Sequence, residues 1–110
     1  MAIKHVQVVE KNEGTKIEWE QTGSNGKVLA FDDYALAVNC ERYRKDWDVH
    51  LDICVDAAGN LTIGTVGASK YVAEIDIPKA TYTPGETEED PPTLDPIDMS
   101  TVVLTLWAID

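Results

Sequence analysis

Apolar and polar side chains alternate at a period of two along much of this chain, the spacing of β-strands that bury one face. The clearest run is residues 46–55. There Trp47, Val49, Leu51, Ile53 and Val55 share one parity, and Asp46, Asp48, His50, Asp52 and Cys54 share the other. This predicts a half-buried antiparallel strand with Trp47 and the branched side chains turned inward and the acids and imidazole wetted. Asp56-Ala57-Ala58-Gly59-Asn60 closes it into a hairpin with residues 61–66. Beyond a loop at Gly67-Ala68-Ser69, residues 70–77 form another strand, which stops where Pro78 has no N–H for the ladder. Residues 81–83 extend it past that kink.

Near the start, residues 4–11 alternate, Asn12-Glu13-Gly14 is a turn signal, and residues 15–21 set Ile17 and Trp19 against Lys16, Glu18 and Glu20. Together they predict an amino-terminal β-hairpin. A turn at Gly23-Ser24-Asn25-Gly26 leads to a third strand over 27–31. Residues 32–45 fit two periods. Leu36, Val38 and Cys40 alternate as in a strand, whereas Leu36, Cys40 and Tyr43 have helical spacing behind a cap at Asp32 or Asp33. Basic residues at 42, 44 and 45 suit a helix C-terminus, so a short helix over 33–45 is expected. In 101–109 both parities are largely apolar, which marks a strand in the sheet interior. The sum is a mainly β protein, an antiparallel sandwich or partly open barrel of about seven strands with one short helix.

Composition changes this picture in one place. The chain has 110 residues and 44% hydrophobic side chains, enough for one domain spanning 1–110. Acids outnumber bases 20 to 9, for a net charge of -11. Six of the acids (Glu86, Glu88, Glu89, Asp90, Asp95, Asp98) lie in 84–98, a stretch with no base and four of the five prolines; without it the balance is only -5. That stretch reads as an extended, mobile loop. The charge argues against nonspecific nucleic-acid binding, since phosphates would be repelled. No apolar run approaches the roughly 20 residues of a membrane span, and Met1-Ala2-Ile3-Lys4-His5 lacks a signal-peptide core. A cytoplasmic protein with Cys40 and Cys54 as reduced thiols is expected.

Candidate chemistry is sparse. Asp48, His50 and Asp52 share a strand face, but residues two apart lie about 6.6 Å from each other, so one ion needs a bend or ligands from a partner strand. Leu51 stands where an EF-hand loop requires Gly. No nucleophile or triad pattern accompanies His50. Glu74 and Asp76, like Glu18 and Glu20, sit at period two and read as solvated exterior. Gly64, Gly67, Ser69 and Lys70 miss the phosphate-loop spacing. No catalytic residue and no cofactor are expected. Arg42, Tyr43, Arg44 and Lys45 form the basic concentration, an electrostatic handle for the chain's own Glu86, Glu88, Glu89 and Asp90 or for those of an identical subunit.

Leu29-Ala30-Phe31-Asp32-Asp33-Tyr34-Ala35-Leu36-Ala37-Val38-Asn39, Arg42-Tyr43-Arg44-Lys45-Asp46-Trp47 and Val103-Leu104-Thr105-Leu106-Trp107 resemble small uncharacterised acidic proteins of bacterial phages and prophages. The resemblance implies a phage-encoded cytoplasmic protein with a virion or assembly role, and carries no functional residues. The expected function is a non-enzymatic structural or protein–protein interaction domain whose partner is another protein or a second copy. One alternative is an acidic DNA mimic that inhibits a nucleic-acid-binding protein. The other is a small metal-dependent binder or enzyme using the Asp48, His50 and Asp52 face.

Overall fold

A computed structural model describes residues 4–65 and 68–109. The start at residues 1–3, the expected strand end at Val66 and the Gly67 turn lie outside the described residues. Strand accounts for 45% of the structure and helix for 10%, so the fold is mainly β. In chain order the elements are β1 (Gln7–Glu10), β2 (Trp19–Thr22), β3 (Val28–Phe31), β4 (Leu36–Asn39), the single helical turn α1 (Cys40–Tyr43), β5 (Val49–Asp56), β6 (Leu61–Ile63), β7 (Ala68–Ile77), β8 (Tyr82–Thr83), β9 (Thr93–Leu94) and β10 (Val103–Leu106). A five-stranded sheet runs β1-β10-β7-β5-β6, a three-stranded sheet runs β2-β3-β4, and β8 pairs with β9.

The two larger sheets share one buried cluster, in the manner of a sandwich. Leu29, Phe31 and Val38 enter from the smaller sheet, and Ile53, Ile75, Ile77 and Leu104 from the larger. Ile97, Met99 and Val102, just ahead of β10, complete it. Each fully buried side chain of this size contributes about 1.5–3 kcal/mol relative to exposure. The register explains which side chains go in. Val49 faces Ile77, Leu51 faces Ile75 and Ile53 faces Ala73 across the β5–β7 ladder, so one face of both strands is apolar. β10 lies between β1 and β7, the interior position its two apolar faces predict.

The amino-terminal hairpin does not form. β1 pairs in parallel with β10, while β2 pairs with β3 in the other sheet. Val6 and Ile17 are both buried, but the chain between them crosses from one layer to the other. Along that crossing, Asn12 Oδ1 accepts from the Ala108 N–H (2.7 Å) and the Ile109 N–H donates to the Thr15 carbonyl (2.8 Å). Alternation fixed the strands; it carried no information about partners.

The helix expected over 33–45 shrinks to Cys40–Tyr43, capped by Asn39 instead of Asp32 or Asp33. Phe31 faces Leu36 and Val28 faces Asn39, so the segment is a β3–β4 hairpin, the strand reading of the same residues. Its turn holds Asp32, Asp33 and Tyr34 at φ 51, 52 and 68, a left-handed run from which no right-handed helix can start.

Trp47 is also corrected. It is 63% exposed, because the β5 ladder begins only at Val49 and the backbone bends at 46–47. Nor is 84–98 one open loop. β8 and β9 form a hairpin around residues 84–92, and the Thr81 and Thr83 hydroxyls both donate to the Asp95 carboxylate at its base. Ile97 then returns to the core. No described helix is long and apolar enough to cross a membrane.

Candidate functional site

The alternation that sends Val49, Leu51 and Ile53 inward places His50 and Asp52 on the outer face of β5. The ladder sets them opposite Asp76 and Glu74 of β7. Facing residues in such a ladder have Cβ atoms about 4.5–5.5 Å apart, close enough for the four side chains to converge. The His50 imidazole sits among them. Its Nδ1 is 2.6 Å from Asp76 Oδ1, and its Nε2 is 2.8 Å from Asp52 Oδ1 and 3.3 Å from Glu74 Oε1. The row predicted to be solvated and idle is therefore a connected network, with Asp52 and Glu74 half-buried.

Trp107, just past β10, donates its indole N–H to Glu74 Oε2 at 2.7 Å. Its ring stacks on Tyr71 (5.4 Å between centroids, 20° between planes), and Lys11 Nζ lies 5.5 Å from the ring centroid. The hydrogen bond to Asp76 raises the imidazole pKa above 6.5 against the opposing effect of partial burial, and Asp52 adds to the rise. Burial, followed by the charges of Asp52 and Glu74, also raises the nearby Cys54 thiol. Cys40, in the core, is pushed up to about 12 by burial. Both cysteines are free thiols and poor nucleophiles at neutral pH.

Among the described residues, no Lys or Arg forms an ion pair with Asp52, Glu74 or Asp76. The network can hold a proton on the imidazole or accept an added cation. His50 Nε2 and one carboxylate oxygen each from Asp52 and Glu74 lie within 4.8 Å of one another, a set able to ligate one metal ion. Asp48, the third residue of the sequence candidate, stands apart from this set. Its Oδ1 accepts the Lys79 backbone N–H at 2.9 Å. Glu74 and Asp76 take its place, and the visible signal for them was a second period-two acid pair in an apolar strand.

A second feature lies just beyond the Val49–Ile77 end of the β5–β7 ladder. Glu41, Arg44, Lys45, Trp47, Ala80, Tyr82, Leu94 and Pro96 are among the residues around a cleft of about 580 Å³. Arg44 donates from Nη2 to the Asp95 carbonyl (2.8 Å), the Ala80 N–H donates to the Lys45 carbonyl (2.8 Å), and the Tyr82 hydroxyl donates to Asp46. These bonds fix the β8–β9 hairpin against the chain leaving α1. Trp47, Leu94 (52% exposed) and Tyr82 (49% exposed) present apolar surface around it.

The basic handle is thus split. Arg44 contacts the acidic stretch at the Asp95 backbone carbonyl and not at the carboxylates of Glu86, Glu88, Glu89 or Asp90, and Arg42 is exposed. Tyr43 is half-buried and packs against the core. Glu86, Glu88, Glu89 and Asp90 are exposed in the segment between β8 and β9. No known protein family, curated protein or solved structure matches the chain.

Proposed function

We propose that this chain is a non-enzymatic protein–protein interaction domain whose binding surface is the cleft between the end of α1 and the β8–β9 hairpin. The exposure of Trp47 carries this reading. Exposed aromatic side chains beside arginine, around a concave surface, are the composition of binding hot spots, and an indole left in water gains most from being covered. Arg44 and Lys45 line the cleft together with the acids Glu41, Asp46 and Asp95, and the further acids Glu86, Glu88, Glu89 and Asp90 lie exposed between β8 and β9, so the surface offers both signs of charge to a partner.

The partner we propose is a second copy of the chain, its acidic hairpin tip set against Arg44 and Lys45 of this cleft. Assembly of a phage particle, which the sequence resemblance implies, is a setting where such self-association would operate. Light scattering after size exclusion tests it at low and high salt. We expect a concentration-dependent oligomer that loosens as salt rises and is lost in Trp47→Ala. A wild-type protein that stays monomeric at every concentration and salt overturns the reading.

A further inference from the structure

We propose that the outer face of the five-stranded sheet binds one divalent transition-metal ion, held by His50 Nε2, Asp52 and Glu74. The site is independent of the cleft and of any partner there.

Four observations carry it. First, the three ligands come from two adjacent strands in direct register, so the ladder itself fixes their spacing, as it would not for acids on a loop. Second, the separations come close to those an ion needs. Nitrogen and oxygen ligands lie about 2.0–2.2 Å from zinc, which puts the edges of a tetrahedral site at roughly 3.3–3.6 Å. Nε2 stands 3.3 Å from the Glu74 oxygen, within that range, and 2.8 Å from that of Asp52, a hydrogen-bond length that must open by about 0.5 Å when an ion replaces the proton.

Third, groups that would not touch the metal hold both outer ligands from behind. Asp76 holds Nδ1 and so presents Nε2, and Trp107 holds Glu74 Oε2 and so leaves Oε1 free. An imidazole backed by a carboxylate, and a ligating carboxylate that is itself hydrogen-bonded, are the supports metal ligands ordinarily have. Fourth, one Nε2–H cannot satisfy two carboxylates, and with no Lys or Arg paired to them among the described residues the group is anionic even when the imidazole is protonated. A dication replaces that single proton and meets both oxygens.

An imidazole nitrogen with carboxylate oxygens favours zinc or a neighbouring late first-row ion over magnesium or calcium, which prefer all-oxygen sets. His50 is exposed on its outer side, which leaves a further coordination position open to water or to a small anionic ligand.

The test is calorimetric titration of untagged, EDTA-treated protein with zinc chloride and, in parallel, with magnesium chloride. Thermal melting and the ¹⁵N shifts of the His50 ring are followed alongside. We expect saturable binding of one zinc per chain, a raised melting midpoint and a shift at Nε2 with Nδ1 still protonated, but no response to magnesium. Asp52→Asn and Glu74→Gln should each weaken binding at least tenfold. Asp76→Asn, a positioning change, should weaken it about 10–100-fold while the metal-free melting midpoint, read at alkaline pH where the imidazole is neutral, stays close to wild type. Using both ligand variants keeps the test valid if one fails to fold, which melting in EDTA reveals. Absence of saturable zinc binding overturns the proposal. So does binding that survives both ligand variants, or binding that Cys54→Ser abolishes, since zinc would then be held elsewhere or by the thiol.

Discussion

Trp107 and Glu74 join the end of β10 to the acidic face of β7 through a 2.7 Å hydrogen bond between the indole N–H and Oε2. Trp107→Phe keeps an aromatic ring next to Tyr71 but removes the donor. Hydrogen bonds to charged groups are worth about 1.5–3 kcal/mol net when protected from water. This one is only partly buried, so a loss of roughly 1 kcal/mol is expected from urea unfolding.

Deleting residues 101–110 should abolish cooperative folding. The cut removes β10 from between β1 and β7 and takes Val102, Leu104 and Leu106 out of the shared core. Loss of several buried aliphatic side chains at about 1.5–3 kcal/mol each approaches the whole stability of a small domain. Circular dichroism melts read the outcome directly: a sharp transition in the shortened chain contradicts it.

The pH dependence of stability follows from His50, which faces Asp52, Glu74 and Asp76 from β5 and β7. Its folded pKa is raised, so the protonated ring binds its proton more tightly in the native state than in the unfolded chain. The contribution is complete below 6.5 and disappears as pH climbs through the raised folded value. In metal-free buffer the melting midpoint should therefore drop across that window, and His50→Gln should flatten the profile there. An NMR titration of the ring locates the folded value itself.

Tyr34 stands at φ 68 in the β3–β4 turn and is 54% exposed, so its conformation is strained and its side chain gives little back. A left-handed residue other than glycine costs about 1–2 kcal/mol, against roughly 0.5–1 kcal/mol for the added freedom of glycine when unfolded. Tyr34→Gly should consequently stabilise the protein by up to about 1 kcal/mol in denaturant titrations. Destabilisation would show that Tyr34 makes a contact worth more than its strain.

The parities of β5 and β7 are legible in the sequence because each carries a long apolar row on one side only. From them the core residues Ile53, Ile75 and Ile77 and the outward position of His50 follow. Trp47 misleads because the period continues in sequence beyond the end of the ladder, and nothing local marks where the backbone bends. The four-residue network is half visible. His50 and Asp52 are neighbours in sequence, but Glu74 and Asp76 join them only through the β5–β7 register, which brings together residues more than twenty positions apart and has no local signal. The amino-terminal hairpin fails for a related reason: Gly14 marks a turn well, yet the strands on either side of it enter different layers.

The parallel docking of β1 on β10 has a consequence for how the molecule is made. A growing chain exposes residues 7–10 early, but their backbone has no ladder until residues 103–106 leave the ribosome. Until then Val6, buried in the finished fold, waits uncovered. The five-stranded sheet thus closes only after translation has passed β10.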